Sequence, residues 1–278
     1  MAMNSSLRRG LTILATTAVA VVVGCSTAKA APAAPAAPPS DVTVVLVHGA
    51  WADASSWDGE VTALEHKGYQ VRAIANPLED LTADAATVAS FLHTIDGPVV
   101  LVGHSYGGSV ITEAAASSPN VKALVYVDAA APDVGETTGS LSGADSVLNH
   151  LPEEQLFDKV PYAGAPAGAT DLYLRKDVFL QHFGNDLPAA VATRLWATQR
   201  AASTAAFDTP ATAAGWKTIP SWYFISSGDE IITPTSEEAM AQRAHAQITT
   251  FPGGSHLTLI SHPDAVTAVI ESAAQTVK

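Results

Sequence analysis

The chain has 278 residues, 47% of them hydrophobic and 15% charged, with a mean hydropathy of +0.19 and a formal charge of −13. These values exclude a disordered chain, which combines low hydrophobicity with high charge, and a single Cys excludes a disulfide scaffold. The acidic balance argues against a nucleic-acid partner and against an anionic membrane surface, because both need clustered Lys and Arg.

Arg8 and Arg9 precede an uncharged apolar stretch, Leu11 to Val23, of 13 residues. That is too short to span a bilayer and matches the apolar part of an export signal. Residues 1–24 therefore read as a signal peptide. In the favoured reading, Val22-Val23-Gly24-Cys25 resembles a bacterial lipobox, in which the Cys is lipidated and becomes the new N-terminus. The alternative is ordinary cleavage after Ala30, at Ala28-Lys29-Ala30. A twin-arginine signal at Arg8-Arg9 is a third possibility. Each expectation exports the protein from a bacterial cell, lipid-anchored through Cys25 or free in the periplasm or medium. Residues 25–40, rich in Ala and Pro, read as an extended tether.

Residues 41–278 hold 11 basic and 27 acidic side chains, a formal charge of −16. At 238 residues they suit one domain. With Cys25 outside this domain, it contains no thiol for catalysis. Val42 to Val47 is a continuous apolar run, as a strand buried on both faces requires. Ser56 to Lys67 reads as a helix stopped by Gly68, and Gln70 to Ala75 as a strand ended by Asn76-Pro77. Thr82 to Ile95 is predicted helical, with Val88, Phe91, Leu92 and Ile95 on one face. Pro98 to Val102 is a strand, Gly108 to Ser117 a helix of small residues, and Val121 to Val127 a strand. The alternation predicts a mostly parallel α/β sheet flanked by helices.

The pattern breaks after Ala131. Residues 132–216 show helical patterns at Asp171 to Phe183 and Leu187 to Ala202, and no strand. They are expected to form an all-helical cap inserted between two strands. Beyond it, Ser221 to Ser226 and Gln247 to Phe251 read as strands, Thr235 to His245 and Pro263 to Thr276 as helices.

The chemistry centres on Gly103-His104-Ser105-Tyr106-Gly107, between a strand and a helix. This G-x-S-x-G context puts a Ser on a sharp strand-to-helix turn, and its flanking glycines let backbones approach. A Ser needs a base to act as a nucleophile, and the base needs an acid to orient it. Of nine His, His256 in Gly253-Gly254-Ser255-His256 follows the last strand, at the sheet edge where catalytic groups gather. His262 reads as a helix cap or surface residue, and His48 as shaping the loop after the first strand. His66, His93, His150, His182 and His245 read as ordinary solvated or packed residues. None of the nine has metal-ligand spacing, so no metal is expected. Asp229, after the strand Ser221 to Ser226, is the candidate acid, with Glu230 and Asp128 as alternatives. The oxyanion donors are expected to be the backbone N–H groups of Ala50 and Tyr106, each worth about 3–4 kcal/mol in a transition state.

Val44 to Trp51, the Gly103–Gly107 turn, Asp229-Glu230-Ile231 with Pro234, and Gly253 to His256 together resemble the α/β-hydrolase superfamily. The likeness is strongest to its small bacterial serine esterases and to the plant methylesterase/hydroxynitrile lyase branch. It spans about residues 41–131 and 217–277, and it implies an α/β-hydrolase fold with a cap at about 132–216. It favours Asp229 over Glu230, since the branch's acid precedes Glu-Ile in a similar turn. The lyases of that branch carry a Lys after the catalytic His and a Thr at the position of Gly49. Here Leu257 and Gly49 stand there, which implies an esterase. Epoxide hydrolases and haloalkane dehalogenases have Asp as the nucleophile, which Ser105 opposes.

The expectation is a serine carboxylesterase acting on small neutral or apolar esters, without a cofactor. Trp51, Phe179, Phe183, Trp196 and Leu257 are candidate substrate contacts. Two rivals stay open: the same triad on a lactone, thioester or C–C bond or in perhydrolysis, and a non-catalytic ligand-binding protein of this fold. Nothing in the sequence specifies an oligomeric state.

Overall fold

The computed structural model describes residues 41–277. The expected signal peptide, Cys25, both cleavage sites and the tether lie outside the described residues. The chain enters through β1 (Thr43–Val47), whose five residues are all buried. Next come α1 (Asp58–His66), β2 (Gln70–Ile74), α2 (Leu81–Leu92), β3 (Val99–Ser105), α3 (Tyr106–Ala115) and β4 (Val121–Ala129). The insertion carries α4 (Val147–His150), α5 (Glu153–Leu156), β5 (Phe157–Val160), β6 (Asp171–Leu174), α6 (Lys176–Val178), α7 (Ala189–Ala197), β7 (Ala202–Ser203) and α8 (Thr204–Asp208). The chain returns through β8 (Ser221–Ser226), α9 (Pro234–Arg243), β9 (Gln247–Phe251), α10 (Thr258–Ser261) and α11 (Pro263–Ala274).

Six strands pair in the order β2-β1-β3-β4-β8-β9, every pairing parallel. The Val- and Leu-rich composition of β1, β3 and β4 suits strands covered on both faces. Helices α1 and α11 pack together, as do α2 and α3. The order turns back between β1 and β3. The loops after those two strands therefore meet at the C-terminal edge of the sheet, where ligands bind in open α/β sheets.

Local signals fix the element ends. Asp80 caps α2 by accepting from the Ala83 N–H, Pro234 and Pro263 open α9 and α11, and Gly68 ends α1 at φ 88°. His262 precedes α11 but makes no capping bond; its Nδ1 meets the Ser261 hydroxyl instead.

The cap is helical over much of its length, but the expected absence of strands there is wrong. β5, β6 and β7 form a small antiparallel sheet, and the predicted helix from Asp171 begins as strand β6. Only Leu172 and Leu174 of β6 are buried, and β5 is almost wholly exposed, so neither carries a run of apolar residues. The helix proper starts at Lys176 and widens into a π-helical turn over Phe179–Phe183.

Glu60 on α1 breaks the core pattern. Its side chain is buried and neither carboxyl oxygen has a partner. Burial, with a smaller repulsion from Asp264, raises it from 4.5 to about 9. The fold therefore holds a proton that the unfolded chain releases. The stability this group contributes is fully present below pH 4.5 and is lost as pH rises toward 9. Glu60→Gln is expected to melt above the wild type at pH 8.5, with the advantage vanishing toward pH 4.5. The expected change is on the order of 5 kcal/mol across that interval. Thermal melts at several pH values check this; a pH-independent difference would mean that Glu60 is ionised in the fold.

Candidate active site

β3 runs straight into α3 through Ser105, which sits at φ 54° and ψ −125°. Only an over-determined turn holds a non-Gly residue there. Gly107 makes the turn feasible, because a Cβ on it would lie 2.5 Å from the Val47 carbonyl oxygen. The turn lifts the Ser105 hydroxyl out of the sheet edge and leaves the Tyr106 N–H at the first position of α3, without an intrahelical acceptor. The loop after β1 approaches from the other side. A Cβ at Gly49 would stand 2.6 Å from the Ser105 Cβ, so only Gly lets this loop come so close.

His48 holds that loop. Its ring donates from Nδ1 to the Gly49 carbonyl at 2.8 Å and accepts at Nε2 from the Asn76 N–H at 3.0 Å. Burial lowers it to about 4, so it stays neutral in these roles. The loop-shaping expectation for His48 is thereby met in detail.

The loop after β9 brings in His256, which is fully buried. Its Nε2 lies 2.7 Å from the Ser105 Oγ and its Nδ1 2.6 Å from the Asp229 Oδ2. Burial lowers His256 to about 3, which keeps the ring neutral. Asp229 stands after β8, and its Oδ1 accepts from the N–H groups of Ile231 and Ile232 at 2.7 and 3.1 Å. Burial raises its carboxyl, and those two donors oppose the rise.

The alternatives for the acid point elsewhere. Glu230 turns to the cap, where it meets His182 Nδ1 at 2.5 Å and Asn185. His182, expected to be an ordinary residue, thus ties the cap to the acid loop. Asp128 accepts from the N–H and the hydroxyl of Ser226.

Sequence reasoning missed three features. His104 donates from Nε2 to the His256 carbonyl at 2.8 Å, with the two rings 4.8 Å apart. The residue between Gly103 and Ser105 thus braces His256, a contact its place in the turn alone does not reveal. Asp128, Asp229 and Glu237 bring carboxyl oxygens within 4.8 Å of one another in full burial. Among the described residues this is the group with the donor set for a cation, yet burial raises all three carboxyls, and repulsion within the group adds to the rise at Asp128 and Glu237. They come from three elements, so spacing along the chain could not show them. Finally, Phe157 and Phe207 of the cap stack on Trp51. Phe157 belongs to the unpredicted sheet.

Four of the five candidate contact residues line one cavity of about 30 Å³: Trp51, Phe179, Phe183 and Leu257, with Leu195 and Ile260. The Phe183 ring sits 5.0 Å from that of His256. Trp196 is a correction. Its indole N–H donates to the Leu174 carbonyl, Lys176 lies over its ring, and it faces an outer groove of the cap with Arg175 and Lys176. It follows α7's outward stripe, which its apolar character alone did not disclose.

The model of the alpha/beta hydrolase family matches residues 44–269. A carbendazim hydrolyzing esterase from Nocardioides sp. is 33% identical over 110 residues, covering 35% of this chain and 46% of that protein. A pyrethroid hydrolase from Sphingobium wenxiniae is 26% identical over 255 residues, covering 82% and 85%. Polyneuridine aldehyde esterase shares the fold, with a TM-score of 0.70 at 16% identity, over 84% of this chain and 98% of that one.

Proposed function

The chain belongs to the alpha/beta hydrolase family as a carboxylic ester hydrolase, and we propose that it cleaves esters of small neutral or apolar substrates through an acyl-enzyme on Ser105. The observation that supports this is the unbroken chain of hydrogen bonds from Ser105 through His256 to Asp229, at 2.7 and 2.6 Å, beneath an aromatic cap. Ser105 Oγ attacks the ester carbonyl while His256 Nε2 takes its proton. Asp229 holds the Nδ1 proton and stabilises the imidazolium that forms. The N–H groups of Ala50 and Tyr106 bind the developing oxyanion. His256 then gives its proton to the departing alcohol, and deprotonates a water that attacks the acyl-enzyme to release acid and free Ser105. No step calls for a cofactor. The charge of −16 over residues 41–278 disfavours polyanionic substrates. The same proposal exports the enzyme through residues 1–24 and anchors it by a lipid on Cys25, a reading that rests on the sequence.

The test is a panel of p-nitrophenyl esters together with a fluorophosphonate probe, on the full chain. Hydrolysis with one equivalent of label on Ser105, located by peptide mapping, is the expected result. A protein that hydrolyses no ester and stays unlabelled is a binding module, and the proposal fails.

A further inference from the structure

The loop that carries His256 has little stiffness of its own. Gly253 and Gly254, directly before Ser255, both have positive φ, at 80° and 75°. Glycine is permissive there and fixes no conformation by itself, so the bonds that follow decide where His256 stands. Ser255 is fully buried and makes two of them. Its Oγ accepts from the Leu257 N–H at 3.0 Å, which closes a turn around His256. The single proton of its hydroxyl goes to Asp186 Oδ1 at 2.5 Å. Asp186 belongs to the cap, between the π-helical turn and α7.

The same stretch of cap meets each residue of Ser255-His256-Leu257. Asp186 holds Ser255. The Phe183 ring lies 5.0 Å from that of His256. Gly184 sits against Leu257, where a Cβ would stand 3.1 Å from the Leu257 Cδ1. The second carboxyl oxygen of Asp186 accepts from the hydroxyl of Ser261, in α10, at 2.5 Å. That hydroxyl also meets His262 Nδ1 at 2.8 Å. The two oxygens of Asp186 thus grip the chain before and after His256. Without them the buried Ser255 hydroxyl is a donor that lacks an acceptor. Such a donor is costly and turns toward another partner, and the Leu257 N–H then loses its lone pair.

We propose that Asp186 is a positioning residue for His256: through Ser255 it sets the loop that points the imidazole at Ser105 and Asp229, so that the cap contributes to the rate of reaction. The inference rests on the reading of His256 as the base of an ester hydrolase. Asp186 touches no reacting atom and acts through Ser255. A misplacement of about 1 Å costs roughly 10²-fold in a reaction that depends on alignment. Elsewhere the cap is free to vary, but a cap put in its place needs an acceptor at this point.

The experiment compares full chains of wild type, Asp186→Ala, Asp186→Asn, Ser255→Ala and the Asp186→Ala/Ser255→Ala double variant on p-nitrophenyl acetate. Asp186→Ala and Ser255→Ala are each expected to lower kcat by about 30- to 100-fold. KM should stay within about twofold, because substrate binding is untouched. The double variant should be no slower than the slower single one, since both changes cut the same link. Asp186→Asn should stay within about threefold of wild type. Its carbonyl oxygen accepts from Ser255, and its NH₂ donates to Ser261, whose own proton passes to His262 Nδ1. The far-downfield proton NMR signal of the His256 Nδ1–H, bonded to Asp229, should shift or broaden in the Ala variants and not in Asp186→Asn. Thermal melts show which variants fold, and Ser255→Ala keeps the test open if Asp186→Ala does not. An unchanged kcat, losses that multiply in the double variant, or a loss carried by KM overturns the proposal. If the wild type cleaves no ester and Ser105 takes no fluorophosphonate, the ester-hydrolase reading is what fails. The Nδ1 signal then decides alone: unmoved in Asp186→Ala, it overturns the placement of His256 by Asp186, and moved, it upholds it.

Discussion

Replacing Ser105 by Ala should lower kcat/KM on any ester by about 10⁴- to 10⁶-fold, the range found when a nucleophile is removed from such a triad. The Oγ is the atom that His256 Nε2 addresses at 2.7 Å, and Cys25, the chain's one thiol, precedes the folded domain. Ala keeps the Cβ, so the backbone at φ 54° bears the same strain with or without the hydroxyl. The fold should therefore survive, and a thermal melt should lie within a few degrees of wild type. Residual activity above the uncatalysed rate is expected, because the Ala50 and Tyr106 donors remain. A variant that keeps a tenth or more of the wild-type rate would assign the chemistry to another group.

Asp229→Asn carries the second largest expected effect, a fall in kcat of about 10⁴-fold, by an argument that depends on which oxygen does what. Oδ1 of Asp229 accepts from two backbone N–H groups, and Oδ2 faces His256 Nδ1. An Asn keeps its carbonyl oxygen on the two backbone donors and so turns its NH₂ toward the ring. Nδ1 must then accept, the ring proton moves to Nε2, and Ser105 faces a donor that cannot take its proton. The geometry stays and the tautomer is wrong. Glu230→Gln is the control, since that carboxylate reaches His182 and Asn185 rather than His256. Its kcat should stay within about threefold of wild type, as surface substitutions away from the chemistry do. Steady-state kinetics on the two variants checks both statements. A Glu230→Gln loss equal to that of Asp229→Asn would exchange their roles.

The central strands were readable because a strand buried on both faces must be apolar at every position, and β1, β3, β4 and β8 have all their large residues inside or nearly so. The candidate residues Ser105, Asp229 and His256 were legible because each follows a strand of the parallel sheet, in a turn with its own glycines, although β9 before His256 is mostly exposed. The cap sheet was not legible. β7 has two residues, β5 exposes three of four, and the alternation in β6 is too short to stand out from the helix that follows. Contacts between distant segments were equally hidden. The Asp128–Asp229–Glu237 group, the His104 brace and the stack of Phe157, Trp51 and Phe207 each join residues that no periodicity relates. Trp196 shows the converse, an aromatic residue in the right segment with its face turned outward.

β4 and β8 are adjacent in the sheet, with Leu124 opposite Ser221, although the whole cap lies between them in sequence. To the sheet, the cap is a single loop leaving from one strand and rejoining its neighbour. Closing such a loop costs an entropy that grows only with the logarithm of its length, about 0.6 kcal/mol for each doubling. Insertions and deletions in the cap thus leave the β-scaffold nearly indifferent, whereas they reshape the cap walls, Phe179 and Phe183 of the 30 Å³ cavity among them. Selection for a new substrate can act on one contiguous stretch of gene while Ser105, Asp229 and His256, all outside it, keep their places. The same arrangement makes residues 132–216 the natural unit to exchange when a different specificity is wanted on this catalytic base.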